Sequence, residues 1–495
     1  MMYGEEKSDS LIVAAKLANN PQGAESVERR SGAKGNAEQP HMRRTQSRES
    51  MSQRLSRVRE AAKQRKKERF TALFHLLTAE ALENAFLSLS RKAAAGVDGV
   101  RWKDYAENLK VNIADLHRRL HQGSYRAQPG RRHYIPKADG KQRPLGIASL
   151  EDKIVQYALV KILNAVYEND FMGFSYGFRP GRSQHNALDA LATGLVRTNV
   201  NWVLDADISQ FFDKVSHEWL IRFIEHRIGD QRVIRLIRKW LTAGTSEEEE
   251  WRASEEGTPQ GAVISPLLAN IYLHYVFDLW AHQWRRRHAT GNVVMVRYAD
   301  DIVIGFDKRI DAQCFRIAMQ RRLKEFGLTV HPKKTRLMEF GRFAAENCAS
   351  RGKGKPETFN FLGFTHISGK DRSGRFMLIR KTRRDRMTAT LKAIKDGLRK
   401  RWHYSIPEQG KWLRRVVQGY LNYHSVPGNY PMMRKFRIYV TDLWRRALRR
   451  RSQQDDTTWT KANRLAAVWL PKVRVLHPWP VERFTARHPR QEPGA

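Results

Sequence analysis

The segment Val293-Val-Met-Val-Arg-Tyr-Ala-Asp300-Asp301-Ile-Val-Ile-Gly-Phe306 decides how this chain is read. Apolar, β-branched runs flank a short polar break, which predicts a hairpin with strands at Val293–Arg297 and Ile302–Phe306. Its tip carries two adjacent carboxylates. They repel each other unless a cation lies between them, which is the arrangement that metal-assisted phosphate chemistry needs. A solvated Asp-Asp turn would look the same in isolation, so the rest of the chain has to decide.

Three further stretches bear on it. Val203-Leu-Asp205-Ala-Asp207-Ile208-Ser-Gln-Phe-Phe212 predicts a strand over Trp202–Ile208 that ends in an acid. A third carboxylate from a neighbouring strand would complete a two-metal site. Alternation puts Asp205 on the same face further back, so Asp207, nearer the strand end, is the preferred ligand; a strand-end cap is the alternative. Phe212 is either core or a ring placed under a nucleotide sugar, where it would exclude a 2′-hydroxyl. Gly257-Thr-Pro-Gln260-Gly261 leads into a helix start at Ser265-Pro266. Gln260 could bond a nucleotide or a template strand, or the stretch could be a loop-to-helix cap. Ile135-Pro-Lys137-Ala-Asp-Gly-Lys141-Gln-Arg143 predicts a hairpin with three cations, suited to a triphosphate but also compatible with a solvated surface.

The bulk numbers narrow the partners. The 495 residues carry 90 Lys and Arg against 51 Asp and Glu, a net charge of +39. Such an excess opposes folding by self-repulsion and points to a polyanion. The 41% apolar content is that of a protein with real cores rather than a packing protein. No apolar run approaches the ~18 residues of a spanning helix, so the expected polyanion is nucleic acid and not a membrane. Two cysteines, Cys314 and Cys348, exclude a disulfide framework or a Cys-rich zinc module and fit a reducing cytosol, with a cytoplasmic or nucleoid location expected.

Along the chain, residues 1–55 read as a basic disordered tail. A basic helix from Ser56 follows, either a solvated face or a nucleic-acid arm. Thr71–Arg91 has helical periodicity, and Gly96-Val-Asp-Gly ends it. Strands are expected at Arg132–Pro136 and Thr358–Phe364, with helices at Lys153–Tyr167, His185–Thr198, His217–Arg227, Val233–Ala243, Pro266–Ala281 and Ala312–Phe326. After about residue 380 the pattern is helical, basic and aromatic to Arg451. The tail from Ser452, with Pro471, Pro478 and Pro480, reads as irregular.

These elements, in this order, resemble the reverse transcriptases encoded by group II introns, the intron-encoded maturases. Gly96-Val-Asp-Gly resembles the family's N-terminal extension motif. Ser175-Tyr-Gly-Phe-Arg-Pro-Gly-Arg-Ser-Gln-His-Asn-Ala-Leu188 is similar to its second block, Phe326–Thr335 to its sixth and Phe361-Leu-Gly-Phe364 to its seventh. Leu413–Arg451, with Gly419-Tyr-Leu-Asn-Tyr423, resembles the helical thumb known as domain X. The resemblance covers roughly residues 65–490.

It implies an α+β fold of right-hand polymerase type: helical and β-hairpin fingers, an antiparallel palm and an all-helical thumb. The expected divisions are a tail at 1–55, extension and fingers at 56–200, palm at 201–365, thumb or domain X at 366–451 and a basic DNA-binding-like tail at 452–495. Asp207, Asp300 and Asp301 would bind two Mg²⁺. Lys137, Arg143 and the backbone at Ile208 would meet the triphosphate, Phe212 would select deoxyribose and Gln260 would position the dNTP. Lys334 would assist the leaving pyrophosphate. Arg179 and Arg182 of the second block, the basic segment with Lys381, Arg383 and Arg384, and the helix end with Arg445, Arg446, Arg449 and Arg450 would grip RNA.

The implied partners are group II intron RNA, an RNA template with a DNA primer, dNTPs and target DNA, with a homodimer left open. The implied activity is RNA-directed DNA synthesis with splicing assistance and target-primed intron mobility. The alternatives are a splicing-only maturase and a reverse transcriptase of a CRISPR or diversity-generating locus. Few cysteines and the end at Ala495 lead to the expectation that the HNH endonuclease of many relatives is absent. Ala95 and Ala148 stand where the family commonly has Pro; neither position supplies a catalytic group.

Overall fold

The structure, a computed structural model, describes residues 50–136, 142–247, 250–252, 256–451 and 457–487. Lys137, Lys141 and the tail residues 1–49 therefore lie outside the described residues.

The first sheet begins with β1 (Gly130–Pro136) and β2 (Gln142–Ile147), an antiparallel hairpin that pairs Ile135 with Arg143. The central sheet is built by period-two alternation. Its first strand is β3 (Trp202–Asp207). Between β3 and the next strand of the central sheet, two short strands extend the first sheet: β4 (Thr245–Glu247) and β5 (Glu250–Arg252), in the order β2-β1-β4-β5. The central sheet then adds β6 (Val293–Tyr298), β7 (Asp301–Phe306) and β8 (Arg336–Glu339), in the order β6-β7-β3-β8 with every pair antiparallel.

Leu204, Ala206, Met295, Ile302 and Ile304 from one face of this sheet enter the largest apolar cluster, together with the helix Leu150–Tyr167. Val203, Val294, Val296, Val303 and Met338 from the other face join a second cluster against the helix Gln184–Arg197. Gly194 permits that contact: a Cβ there would overlap the Val294 side chain. One register therefore buries both faces, and a one-residue slip would expose both at once.

Strands β9 (Phe359–Phe361), β10 (Phe364–Lys370) and β11 (Phe376–Thr382) form the third sheet. Beyond them the helices Arg384–Arg399, Ile406–His424, Tyr430–Arg449 and Trp459–Trp469 pack around Leu413, Val417, Phe436 and Trp444. The fold is thus α+β, with an antiparallel palm-type sheet and a helical C-terminal region. Among the described residues no helix is long and apolar enough to cross a membrane.

Several boundaries differ from expectation, each for a local reason. The basic helix starts at Met51, inside the expected tail, because Ser50 and Gln53 form a capping box. Thr71–Arg91 is not one helix: Thr78 is extended and caps a separate helix Ala79–Ser88 after a short turn at Phe74–Leu76. The expected strand Thr358–Phe364 folds back on itself. Leu362 and Gly363 both take positive φ, 45° and 76°, as a tight hairpin turn requires.

The expected helix Pro266–Ala281 is interrupted by a π-helical turn at His274–Asp278. The thumb is not helical from residue 366, since β10 and β11 occupy its first stretch. The C-terminal tail is not irregular throughout. Thr458 caps Trp459–Trp469, and Pro480 opens the helix Pro480–Arg487, where a missing N–H costs nothing. That last helix lies on Gln184–Arg197, joined by an Arg483–Asp189 ion pair.

Candidate active site

Strand pairing brings the carboxylates together. Asp207 is the register partner of Asp301 across β3 and β7, and Tyr298 on β6 is the register partner of Asp301 from the other side. Directly opposed residues share a face, so Asp207 and Asp301 project to one side with Asp205 two residues behind. This is the face whose inner end is covered by Val203 and Val303, and the acids stand where that cover stops. Ala299, the first turn residue, has φ 55°, as a primed two-residue hairpin demands, and Asp300 follows it at the tip. Asp205 also has an opposite charge nearby, with Arg336 Nη2 3.9 Å from its Oδ2.

The electrostatics fit a cation. Burial of the carboxyl group, then the charges of Asp300, Asp207 and Asp205, push Asp301 up to about 8, with Lys334 opposing. The residue nonetheless keeps a solvent-exposed edge, so the like-charge part is what a cation reaching that edge would relieve. Asp205 is pushed up to about 6, first by burial, with Arg336 lowering it and Asp207 raising it. Lys334 Nζ lies 2.9 Å from Asp207 Oδ2, so a side chain already supplies one positive charge here. Its own pKa is raised on balance: burial lowers it, and the hydrogen bond and charge of Asp207 outweigh that. Among the described residues no three acidic, His or Cys side chains are closed into a ready-made ligand cage.

The sign of the pH effect follows. Without a divalent cation, Asp301 stays protonated up to about 8, and the stability linked to that proton is complete below the ordinary carboxylate range and lost as pH rises through about 8. In chelator, the melting temperature is expected to fall as pH rises across that window. Mn²⁺ affinity is expected to rise over the same window, with proton release on binding. Calorimetric Mn²⁺ titration at several pH values checks this; an affinity flat in pH would remove the crowding of Asp301 as a factor.

The other predicted residues divide into those at the site and those elsewhere. The Phe212 carbonyl accepts from Thr258 N at 2.8 Å, and Gly257 packs so tightly on Phe212 and Asp213 that a Cβ would meet the Phe212 carbonyl oxygen at 2.8 Å. The loop at residues 257–261 is thereby fastened to the segment after β3, and Gln260 Nε2 donates to Asp213 Oδ1 at 3.1 Å. Phe212 is half-buried beside Phe211, and Ile208 is buried and bridged to Val330. Gly146 N on β2 donates to the Gln260 carbonyl at 2.6 Å, which docks the strand bearing Arg143 on the same loop. Lys137 lies outside the described residues.

The expected RNA contacts fare unevenly. Arg179 is buried, and its donors go to Glu168, Met172 O and Ser175 O. Arg182 bonds Gly173 O and Ser175 O and lies over the Tyr176 ring. Arg179 is thus turned inward to hold the second block together, and half-buried Arg182 braces the same segment. Arg445 pairs with Asp442 and covers Trp459, while Arg383 pairs with Asp385. Arg446 also reaches Asp442 yet stays exposed, and Lys381, Arg384, Arg449 and Arg450 are exposed.

Two groups at the site had no clear mark in the sequence. Asp213 holds Gln260, and Gly177 lets the second block lie against the turn that carries Asp300: a Cβ there would meet Tyr298 C at 3.0 Å and Ala299 Cα at 3.1 Å. A glycine between two aromatics was the only signal for the latter.

Comparison with known proteins agrees with this geometry. Residues 135–366, which run from the last two residues of β1 through β2 and the whole central sheet, match the family described as reverse transcriptase (RNA-dependent DNA polymerase). The chain is 43% identical to protein YkfC of Escherichia coli over 206 residues, 41% of this chain and 54% of that one. It is 37% identical to the group II intron-encoded protein LtrA of Lactococcus lactis over 223 residues, 44% of this chain and 37% of LtrA. With the putative COX1/OXI3 intron 1 protein of Saccharomyces cerevisiae it shares 26% identity over 393 residues, 66% of this chain and 46% of that one. The matches thus span about half or less of these relatives' own lengths. With its carboxylates gathered on one sheet end inside the matched region, the chain carries a reverse transcriptase domain over residues 135–366 and is similar, over part of its length, to group II intron-encoded proteins.

Proposed function

We propose that this protein synthesises DNA on an RNA template, by in-line attack of a primer 3′-hydroxyl on the α-phosphate of a dNTP with release of pyrophosphate. The observation that carries the reading is the register pair Asp207–Asp301 with Asp300 at the adjoining tip. Asp207, Asp300 and Asp301 would hold two Mg²⁺, which supply Lewis-acid stabilisation to the attacking hydroxyl and the triphosphate. Lys334, 63% exposed, is free to turn from Asp207 toward the departing pyrophosphate. Phe212 would exclude a 2′-hydroxyl, Gln260 would set the incoming nucleotide, and Arg143, Lys137 and the backbone at Ile208 would meet its phosphates. The domain divisions belong to the same reading: fingers to about 200, palm to about 365 and a thumb whose helices begin at Arg384.

In this reading the chain also binds group II intron RNA, assists its splicing by stabilising the folded ribozyme and supports mobility by target-primed reverse transcription. A net charge of +39 and the exposed Lys381, Arg384, Arg446, Arg449 and Arg450 support contacts to phosphate. RNA affinity is expected to fall by about 10³-fold or more between 50 and 200 mM salt, as for six or more phosphate contacts. A filter-binding salt series checks it, and a flat dependence would remove the broad phosphate interface. Primer extension on RNA with dNTPs and Mg²⁺ tests the polymerase. No synthesis by folded, RNA-binding protein would favour a splicing-only maturase.

A further inference from the structure

We propose that Arg297 is a positioning residue for catalysis: anchored on Asp278, its buried guanidinium grips the backbone of Ala299 and so sets the turn that carries Asp300 and Asp301. The proposal rests on the polymerase reading above.

Arg297 is 0% exposed and stands on β6, two residues before the turn residue Ala299. Its register partner on β7 is Ile302, whose side chain enters the main core. The guanidinium therefore lies behind the sheet, on the face opposite Asp301. An apolar side chain would suit that place, and a charge is costly there unless paired and fully bonded.

The bonding is complete. Nε donates to Asp278 Oδ1 at 2.7 Å, and Nη2 donates to Asp278 Oδ2 at 2.6 Å and Ser175 Oγ at 2.7 Å. Nη1 donates to Asn270 Oδ1 at 3.1 Å and to the Ala299 carbonyl at 3.0 Å. All five guanidinium donors are used, and the last reaches the turn itself.

Ala299 needs such a grip. It has φ 55°, a conformation that residues with a Cβ seldom hold without support. The other acceptors come from elements remote in sequence. Asp278 closes the π-helical turn His274–Asp278, a feature frequent at functional sites. Asn270 lies on the helix Ser265–Leu273 and also donates to the Gly177 carbonyl at 2.6 Å. Ser175 forms an isolated parallel bridge with Arg297 and precedes the turn at Gly177 that leans on Tyr298 and Ala299. Arg297 thus ties the turn at Ala299 to two separate segments, the helical stretch bearing Asn270 and Asp278 and the second block at Ser175, as an outer partner orients a metal ligand.

The test uses the full chain with Arg297→Lys, which keeps the charge but cannot form the fork. Melting temperature, RNA binding, Mn²⁺ binding by electron paramagnetic resonance, and kcat and KM for dNTP would be measured. Folded variant is expected to lose about 100-fold in kcat with KM changed less than about threefold, and to bind Mn²⁺ about tenfold more weakly. Native kcat and native Mn²⁺ affinity in a folded variant would overturn the proposal.

Should Arg297→Lys not fold, Ser175→Ala decides. It removes one acceptor and leaves the charge pair, and about a fivefold loss in kcat with weakened Mn²⁺ binding is expected; native values for both would overturn the proposal. Asp300→Ala serves as the control that the Mn²⁺ signal comes from the acid cluster. If the native chain makes no DNA, the polymerase reading fails separately, and the Mn²⁺ comparison still decides the role of Arg297.

Discussion

Asp300→Ala is expected to abolish primer extension while leaving RNA binding and folding intact. The Asp300 carboxylate is one of three acids at the tip, opposite in role to every basic residue around it. Removing it relieves the like-charge pressure that Asp300 puts on Asp301 in the resting protein. The loss falls on the transition state, where a metal held by these acids would supply several kcal/mol of charge stabilisation. At 1.36 kcal/mol per tenfold, that is about 10³-fold or more in rate. Single-turnover extension on an RNA template, with native and mutant proteins matched for folded content, reads it directly. A mutant that retains a tenth of native activity would mean that Asp300 is not a metal-binding acid.

Gly177→Ala is expected to cost about as much as a displaced catalytic group, though it adds one methyl group far from any reacting atom in sequence. Its Cβ would meet Tyr298 C at 3.0 Å and Ala299 Cα at 3.1 Å, with the Ala299 nitrogen closer still. The second block cannot simply withdraw, because the Gly177 carbonyl accepts from Asn270 Nδ2 at 2.6 Å and Tyr176 N donates to the Arg297 carbonyl at 2.8 Å. The turn has to move instead. A shift of about 1 Å at a catalytic group costs about 100-fold, and overpacking costs about 1–3 kcal/mol of stability. Gly173→Ala is the control, since a Cβ there meets nothing within 4 Å. Native kcat in Gly177→Ala, with Gly173→Ala also native, would show that the turn tolerates the crowding and that its position is not set by this contact.

Much of the site was legible because it is encoded locally. The hairpin at Val293–Phe306 follows from two apolar runs and a polar break, and β3 from an apolar run ending in an acid. Asp207 was preferred over Asp205 because it stands nearer the strand end, and the register places Asp207 opposite Asp301. Local chemistry misled where an element depends on its neighbours. The resemblance implied RNA contacts at Arg179 and Arg182; folding turns donors of Arg179 onto Glu168 and of Arg182 onto the carbonyls of Gly173 and Ser175. The prolines after Ser452 suggested irregular chain. One of them opens a helix that docks on Gln184–Arg197, a contact no local pattern contains.

By itself, then, the sequence determined which segments alternate, where the carboxylates fall within them and how much positive charge the chain carries. These are properties of neighbouring residues, and they survive without a fold. Only the tertiary structure decided which charges remain available. It set Lys334 on Asp207, Gln260 on Asp213 and Arg297 behind the acidic turn on Asp278. Those pairings join residues 127, 47 and 19 positions apart. Their existence depends on strand register and helix docking, which are fixed by burying both faces of one sheet at once.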